Sequence, residues 1–462
     1  MQGRNASAVD VGQIIDQGSW GGYQKWLVFL VALTIVFDGI DNQLLGIVIP
    51  TIMREWGVPR PAFASVISLG YAGMMVGGAA AGLIGDRIGR RAALLGSMVI
   101  FGVMTLLAPF AADAGLLSAT HTIWPSAGPT TLLGVFRFLA GIGLGGAMPN
   151  AAALAAEYVP ARQRPIAVTA TIVCVPLGGT LAGELGARLL PTLGWEMLFV
   201  LGGVVPLVAA GVLRLLLPES PRFLARHAAR WAELGAVLGR MGHHVPTGTH
   251  FVDLTDRPVA RVSIGSLFGP EFRRDTIALW AAFFSCLLGV YLGFSWLPTL
   301  LTGAGFDAAT ANRGITAFNL GGVVGALAGG VVITRLGSRV AMLTMSAVAI
   351  AGAVGLSLMP ISPQLGLLPV MALLTLTGSM INGVQTTMYA LAAHVYPASV
   401  RSTGVGTAVA FGRIGAVLTG YIGSWAIGYG GPAAFFAVVA VMMVSTFVSL
   451  AAVRRHVEPR PA

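Results

Sequence analysis

The chain has 462 residues, of which 55% are hydrophobic and only 10% charged, with 63 glycines, and its mean hydropathy is +0.80. A soluble domain carries about 25% charged residues, so this composition excludes water as the main solvent and overrides the roughly three soluble domains that length alone suggests. The net charge of +10 does not point to nucleic acid, because the basic residues alternate along the chain in the way that orients a membrane protein.

A membrane span needs about 20 apolar residues. Runs of that length give twelve candidates: 26–49, 60–84, 92–111, 131–156, 166–190, 196–217, 275–301, 311–334, 340–360, 366–393, 403–428 and 432–453. Residues 1–25 form a polar tail before them and 454–462 a tail after them. No cleavable leader is expected, since the first apolar run begins near Trp26 and is already a full span. The one long hydrophilic stretch, 218–274, separates six spans (26–217) from six (275–453) and reads as a linker with short helices, for instance around Arg222–Leu238.

Arg4, Lys25, Arg87, Arg90, Arg91, Arg162, Arg164, the linker arginines, Arg335, Arg339, Arg401, Arg454, Arg455 and Arg460 fall in one set of alternate loops and tails. Arg54, Arg60, Arg188 and Arg313 fall in the other. This asymmetry places both termini in the cytoplasm. Cys174 and Cys286 both lie in apolar spans, so neither a disulfide framework nor a metal cluster is indicated.

The first span contains Phe37-Asp38-Gly39-Ile40-Asp41-Asn42-Gln43, with Asp38 twelve residues from both Trp26 and Pro50. At about 1.5 Å per residue that is about 18 Å from each end, near the middle of a hydrocarbon core about 30 Å thick. A charged carboxylate costs roughly 2.5–3.5 kcal/mol there. Three residues apart, the two acids share a helix face and are expected to point together into a central cavity, as proton-coupling groups. The alternative, that one or both pairs with an arginine to hold helices together, stays open.

Two ordered matches relate the halves. Leu154-Ala155-Ala156-Glu157, Pro160 and Arg164 correspond to Leu391-Ala392-Ala393-His394, Pro397 and Arg401, at an offset of 401 − 164 = 237 that also carries Gly178, Gly183 and Gly186 onto Gly415, Gly420 and Gly423. At offset 335 − 87 = 248, Gly82, Arg87, Gly89 and Arg91 correspond to Gly330, Arg335, Gly337 and Arg339. Parallel six-helix repeats are an architecture of carriers whose halves rock around a midplane site.

The run Gly82-Leu83-Ile84-Gly85-Asp86-Arg87-Ile88-Gly89-Arg90-Arg91 resembles the loop motif of the major facilitator superfamily, and Pro218-Glu219-Ser220-Pro221-Arg222-Phe223-Leu224 resembles a motif shared by its sugar and organic-ion porters. The Asp-Gly-x-Asp of the first span, followed by Asn42-Gln43 and Pro50, is similar to the aromatic acid:proton symporter family and is the specific part of the resemblance. The resemblance spans essentially the whole chain. It implies an all-α membrane protein of the major facilitator fold, with twelve transmembrane helices in two six-helix halves.

It further implies import of an aromatic carboxylate, such as benzoate or a hydroxybenzoate, with protons across a bacterial inner membrane. Such a carrier works as a monomer without a cofactor and is not an enzyme. Gly82, Asp86, Arg87, Gly89 and Arg90 would then bridge helix ends and gate the cytoplasmic side, while Arg90 and Arg91 taken alone read as basic anchors at the membrane surface. Thr334 stands where the first-half loop has Asp86, so the second copy lacks the full charge relay. The linker motif alone would equally allow a sugar or other organic-ion porter. A non-transporting sensor on the same scaffold is a more distant alternative.

An anionic substrate needs a cation. Arg413 lies about ten residues inside the eleventh span, flanked by Gly412 and Gly415, and its repeat position is Pro176 (413 − 237), so shared packing does not demand the charge. Its planar fork suits a carboxylate, and it is the expected substrate anchor, with pairing to Asp38 or Asp41 as the alternative. Arg137 in the fourth span is expected either to pair with those acids or to touch substrate. Glu157 and His394 occupy equivalent helix ends, with Arg401 nearby; His394 suits either a proton role or a helix-end hydrogen bond. Glu184 and Arg188 are spaced as a local pair. Tyr291, Phe294, Trp296, Phe318, Tyr389 and Phe411 are candidates to stack on a ring or simply to pack.

Overall fold

The structure is a computed structural model that describes residues 9–113, 116, 120, 128–243, 245–246, 248–254, 263–397 and 400–459. Arg4 and Arg460 lie outside these residues. Backbone polar groups in lipid must be satisfied within their own segment, which selects helices for chains of this composition. Among the described residues nine helices are long and apolar enough to cross a membrane.

In chain order the elements begin with β1 (Val9–Asp10) and α1 (Val11–Gln17). The long helices α2 (Gly22–Trp56), α3 (Arg60–Ile88), α4 (Arg90–Leu107), α5 (Pro129–Tyr158) and α6 (Arg164–Leu216) follow. Next come α7 (Pro221–Ala225), α8 (Trp231–Arg240) and β2 (Phe251–Val252). The chain then continues as α9 (Arg273–Gly303), α10 (Ala308–Leu358), α11 (Leu367–Val395) and α12 (Arg401–Ala452).

Three helices, α6, α10 and α12, run 53, 51 and 52 residues. At 1.5 Å per residue each would be nearly 80 Å long, more than twice a hydrocarbon core of about 30 Å. Each is broken by glycine: Gly194 in α6, Gly337 in α10, and Gly430 with Gly431 in α12. The breaks fall between the expected spans 166–190 and 196–217, 311–334 and 340–360, and 403–428 and 432–453, so each long helix is two span-length pieces. The first span, by contrast, outruns its expected end. α2 continues through Pro50 to Trp56 and stops where Gly57 adopts a left-handed conformation (φ 62°) whose N–H caps the Met53 carbonyl.

Packing divides the helices into two bundles. In one, α3 and α4 lie on α5, and α2 on α6; in the other, α9 lies on α12 and α10 on α11. The bundles meet where α6 touches α10, α3 touches α12, and α2 touches α9. Small residues allow this close approach. Gly178 of α6 rests on Val36 and Gly39 of α2, while its repeat partner Gly415 of α12 rests on Phe284 and Leu288 of α9. Gly183 faces Ile315 and Thr316 across the bundle interface, and its partner Gly420 faces Ala64 and Ser68. The repeat read at offset 237 is therefore a repeat of helix contacts.

One end of the molecule collects the N-terminal segment, the linker and the helix ends. β1 and β2 form a short parallel pair, a small exception to the all-α expectation. Asp16 of α1 forms ion pairs with Arg164 and Arg222. The short helices expected around Arg222–Leu238 are α7 and α8, separated by residues 226–230, which include a 3-10 turn at Ala228–Arg230.

Candidate functional site

Asp38 lies 16 residues from the start of α2 and 18 from its end, so the acid pair sits at mid-depth. The two carboxyls nevertheless meet different surroundings. Asp41 is fully buried inside the first bundle. Arg137 of α5 donates from Nη1 to its Oδ2 at 3.1 Å and from Nη2 to its backbone carbonyl at 3.2 Å, and the Thr105 hydroxyl of α4 donates to its other oxygen. Asp38, 2% exposed, instead lines a cavity between the bundles, and its Oδ1 has no hydrogen-bond partner among the described residues. The expectation that both acids face the cavity is corrected: three residues at 3.6 per turn leave about 60° between them, enough to send one toward α4 and α5 and the other toward α9 and α12.

Across that cavity stands Arg413, as the sequence suggested. No ion pair joins it to Asp38 among the described residues; its Nη1 donates to the Met74 carbonyl on α3, a bond that crosses the bundle interface. Apolar walls come from Met148, Ile172, Pro176 and Leu287, while Tyr291, Phe294 and Tyr389 supply rings and Asn42 and Gln385 supply amides. Of the other aromatic candidates, Trp296 is buried with its Nε1–H on the Thr419 carbonyl. Phe318 packs behind Phe294, and Phe411 stacks on Trp280.

A second, smaller chamber adjoins the first and shares Asn42, Met74 and Leu144 with it. Arg137 lines it, so this arginine both pairs with Asp41 and reaches a polar void. Tyr71 and Ser295, also in its wall, bond to each other at 2.7 Å from opposite bundles. Sequence reading missed Asn42, Tyr71, Ser295 and Gln385 as site residues. Asn42 adjoins the acid motif, Tyr71 and Ser295 are single polar residues in apolar runs, and Gln385 sits in a mildly polar stretch with Asn382, Thr386 and Thr387.

Hydrogen bonds close the interface on one side of the cavity. Gln43 and Asn319 exchange two amide hydrogen bonds at 3.0 and 2.7 Å; Ser68 donates to the Val417 carbonyl at 2.7 Å, and Thr316 to the Thr180 carbonyl at 3.5 Å. Among the described residues, hydrogen bonds between the long helices of the two bundles lie at cavity level or on the Trp56 side of it.

At the opposite end, the loop motif is tied into a cluster. Asp86 and Arg90 pair at 2.6 Å, Arg90 reaches Glu157 at 3.6 Å, and Glu157 accepts from the Ser220 hydroxyl. Glu219 is the centre that motif reading had not singled out: it accepts from the N–H groups of Arg91 at 2.9 Å and Ala92 at 3.4 Å, which cap α4, and from that of Ser220 at 2.9 Å. Gly82 and Arg87 are exposed. In the second copy Thr334, among the described residues, bonds only to Val331 within its own helix, and the Ser338 N–H finds the Val457 carbonyl at 2.9 Å. The equivalent arginines behave alike, Arg164 Nε donating to Ala156 and Arg401 Nε to Tyr396. Glu157 and His394 do not, since His394 is exposed. Glu184 and Arg188 form the expected local pair at 2.6 Å.

A polar site enclosed between two repeat-related helical bundles, sealed on one side, is the arrangement of a multi-pass membrane carrier. The chain belongs to the Major Facilitator Superfamily, which its sequence matches over residues 31–387 and 315–462; it is a transporter and not an enzyme. It is 33% identical over 423 residues to a gallate transporter of Pseudomonas putida (91% of this chain, 90% of the relative). It is also 33% identical over 431 residues to the 4-hydroxybenzoate transporter PcaK of Acinetobacter baylyi (91% and 89%). These names agree with the resemblance carried by the first-span motif. The fold is similar to that of the xylose transporter XylE from E. coli in a partially occluded inward-open conformation, with a TM-score of 0.73, 14% identity, and coverage of 96% of this chain and all of the other.

Proposed function

We propose that the chain is a proton-coupled symporter that imports an aromatic carboxylate across the bacterial inner membrane, with both termini in the cytoplasm. In this reading residues 26–217 and 275–453 are the rocking halves and 218–274 the cytoplasmic linker. The observation that carries it is Arg413 facing Asp38 across the bundle interface without an ion pair between them. The guanidinium is thus available to a substrate carboxylate at the place where the two halves move against each other. The names of the curated relatives supply the aromatic class.

The geometry supports the following cycle. Of the Asp38/Asp41 pair, the cavity-facing Asp38 takes up the proton while Asp41 stays paired with Arg137, and this relieves the charge opposite the incoming anion. The carboxylate docks on Arg413, and its ring lies among Tyr291, Phe294 and Pro176. The halves rock, and acid and proton leave toward the linker side, where Asp86, Arg90, Glu157 and Glu219 hold helix ends together or release them. No covalent bond is made.

Uptake in proteoliposomes tests the reading. An inward proton gradient is expected to drive accumulation of benzoate or a hydroxybenzoate above equilibrium. No gradient-driven accumulation of any aromatic acid, or accumulation of a sugar instead, would sink it.

A further inference from the structure

The substrate cavity does not end at Asp38 and Arg413. Asn42 lies four residues beyond Asp38 on α2, about 6 Å toward the Trp56 end, and there the small chamber adjoins the cavity, the two sharing Asn42, Met74 and Leu144 as lining. It has room for about one water-sized group. Apolar Leu45, Ile67 and Leu144 enclose it, so its polar groups stand out: the Asn42 amide, the Tyr71 and Ser295 hydroxyls and the Arg137 guanidinium.

Their bonding state defines what the chamber can accept. Tyr71 and Ser295 share one hydrogen bond between two hydroxyls, which leaves one O–H to donate and lone pairs to accept. Arg137 Nε is buried and has no hydrogen-bond partner among the described residues, so it offers a further N–H. The charge of Arg137 is already matched by Asp41 at 3.1 Å, and a second carboxylate would enter without a free counter-charge. A neutral group that both donates and accepts satisfies these partners; a hydrogen leaves them unsatisfied.

The ring path leads to the same place. Tyr291 lines the main cavity and meets Tyr71 of the chamber edge-on, centroids 4.6 Å apart, so the aromatic wall of the cavity continues into the wall of the chamber. We propose that the Asn42–Tyr71–Arg137–Ser295 chamber receives a ring hydroxyl of the substrate, making this a carrier of hydroxylated aromatic monocarboxylates in preference to benzoate or an aromatic dicarboxylate. The inference rests on the transport reading above and narrows it.

The pairing across bundles adds a consequence. Because Tyr71 belongs to α3 and Ser295 to α9, the chamber is complete only while this side of the interface is closed, so the hydroxyl is read in the occluded state and contributes to the step in which the halves close around substrate. A site built to bond a hydroxyl discriminates strongly against the analogue that lacks it.

Competition against labelled 4-hydroxybenzoate uptake in proteoliposomes of the full chain tests this with four probes: benzoate, 3-hydroxybenzoate, 4-hydroxybenzoate and terephthalate. At least one monohydroxy acid is expected to compete ten-fold or more better than benzoate, and terephthalate to compete no better than benzoate. In Ser295→Ala and Tyr71→Phe the hydroxybenzoate-to-benzoate affinity ratio is expected to fall toward 1. A purely structural Tyr71–Ser295 bond would change the maximal rate for every acid and leave that ratio where it was. Equal wild-type affinity for benzoate and both hydroxybenzoates, or a ratio unmoved in both variants, overturns the inference while leaving aromatic acid transport standing. Failure of every acid to be carried or to compete overturns the transport reading and this one with it.

Discussion

About 60° of helix rotation separates the two acids of α2, and it sets how each responds to substitution. Asp41→Asn leaves Arg137, 4% exposed, buried without its counter-charge. Breaking such a pair costs roughly 3–5 kcal/mol, so a marked drop in the melting temperature of the detergent-purified protein is expected. Asp38→Asn disturbs no ion pair among the described residues, and its expected effect is on coupling, with uptake losing its dependence on the proton gradient. Thermal unfolding of the two variants side by side checks this; equal losses of stability would show that the acids do not divide these roles. Depth and spacing in the sequence were enough to mark both acids as exceptional. They could not tell the two apart, because Thr105 and Arg137 are 64 and 96 positions from Asp41 and reach it only through the packing of α4 and α5 on α2. Tyr71 and Ser295, 224 positions apart, were invisible for the same reason.

At the scale of elements, glycine position carried much of what could be read. The breaks at Gly194, Gly337 and Gly430–Gly431 fall between apolar runs because glycine is where a helix can change direction at little cost. The end of α2 lies beyond the expected one because Pro50 looks like a stop, yet a proline that costs one ladder bond and a ring clash is carried inside the helix, which runs on through Thr51, Ile52 and Met53 to Trp56. Gly89 shows a stricter use. It sits at φ 102°, and a Cβ there would meet the Glu219 carboxylate that caps α4. Gly89→Ala is therefore expected to destabilise the loop end by about 1–3 kcal/mol for the backbone alone and to displace Glu219 as well. Gly96, exposed within α4 with nothing in the path of a Cβ, gives the opposite sign, since alanine is about 0.5–1 kcal/mol better than glycine in a helix interior. Melting temperatures of Gly89→Ala and Gly96→Ala should move in opposite directions; a shared direction would remove the backbone argument.

For the whole molecule, the sequence repeat exposed the two bundles but not which side of their interface is closed, since closure depends on how the bundles are inclined and not on any one pattern. The cross-bundle hydrogen bonds place the seal on the Trp56 side, and its best-bonded element is the Gln43–Asn319 pair, both side chains fully buried. Alternating access requires this side to open, which exchanges those two amide bonds for water. Asn319→Leu removes one partner and leaves the Gln43 amide buried with its bonds unmade, a cost of about 1–3 kcal/mol borne only by the closed state. The equilibrium should then shift toward opening on this side by about ten-fold for each 1.4 kcal/mol. Replacing both partners, Gln43→Leu with Asn319→Leu, removes the unmet polar group and should return the balance toward closure. A cysteine at Thr316, which donates across the same seam, reports the change in a background without Cys174 and Cys286. Its modification by a membrane-impermeant thiol reagent should quicken several-fold in the single variant and slow again in the double. If the single variant labels at the wild-type rate, the amide pair is not what holds this side closed, and the seal resides instead in the glycine contacts of Gly183 and Gly420.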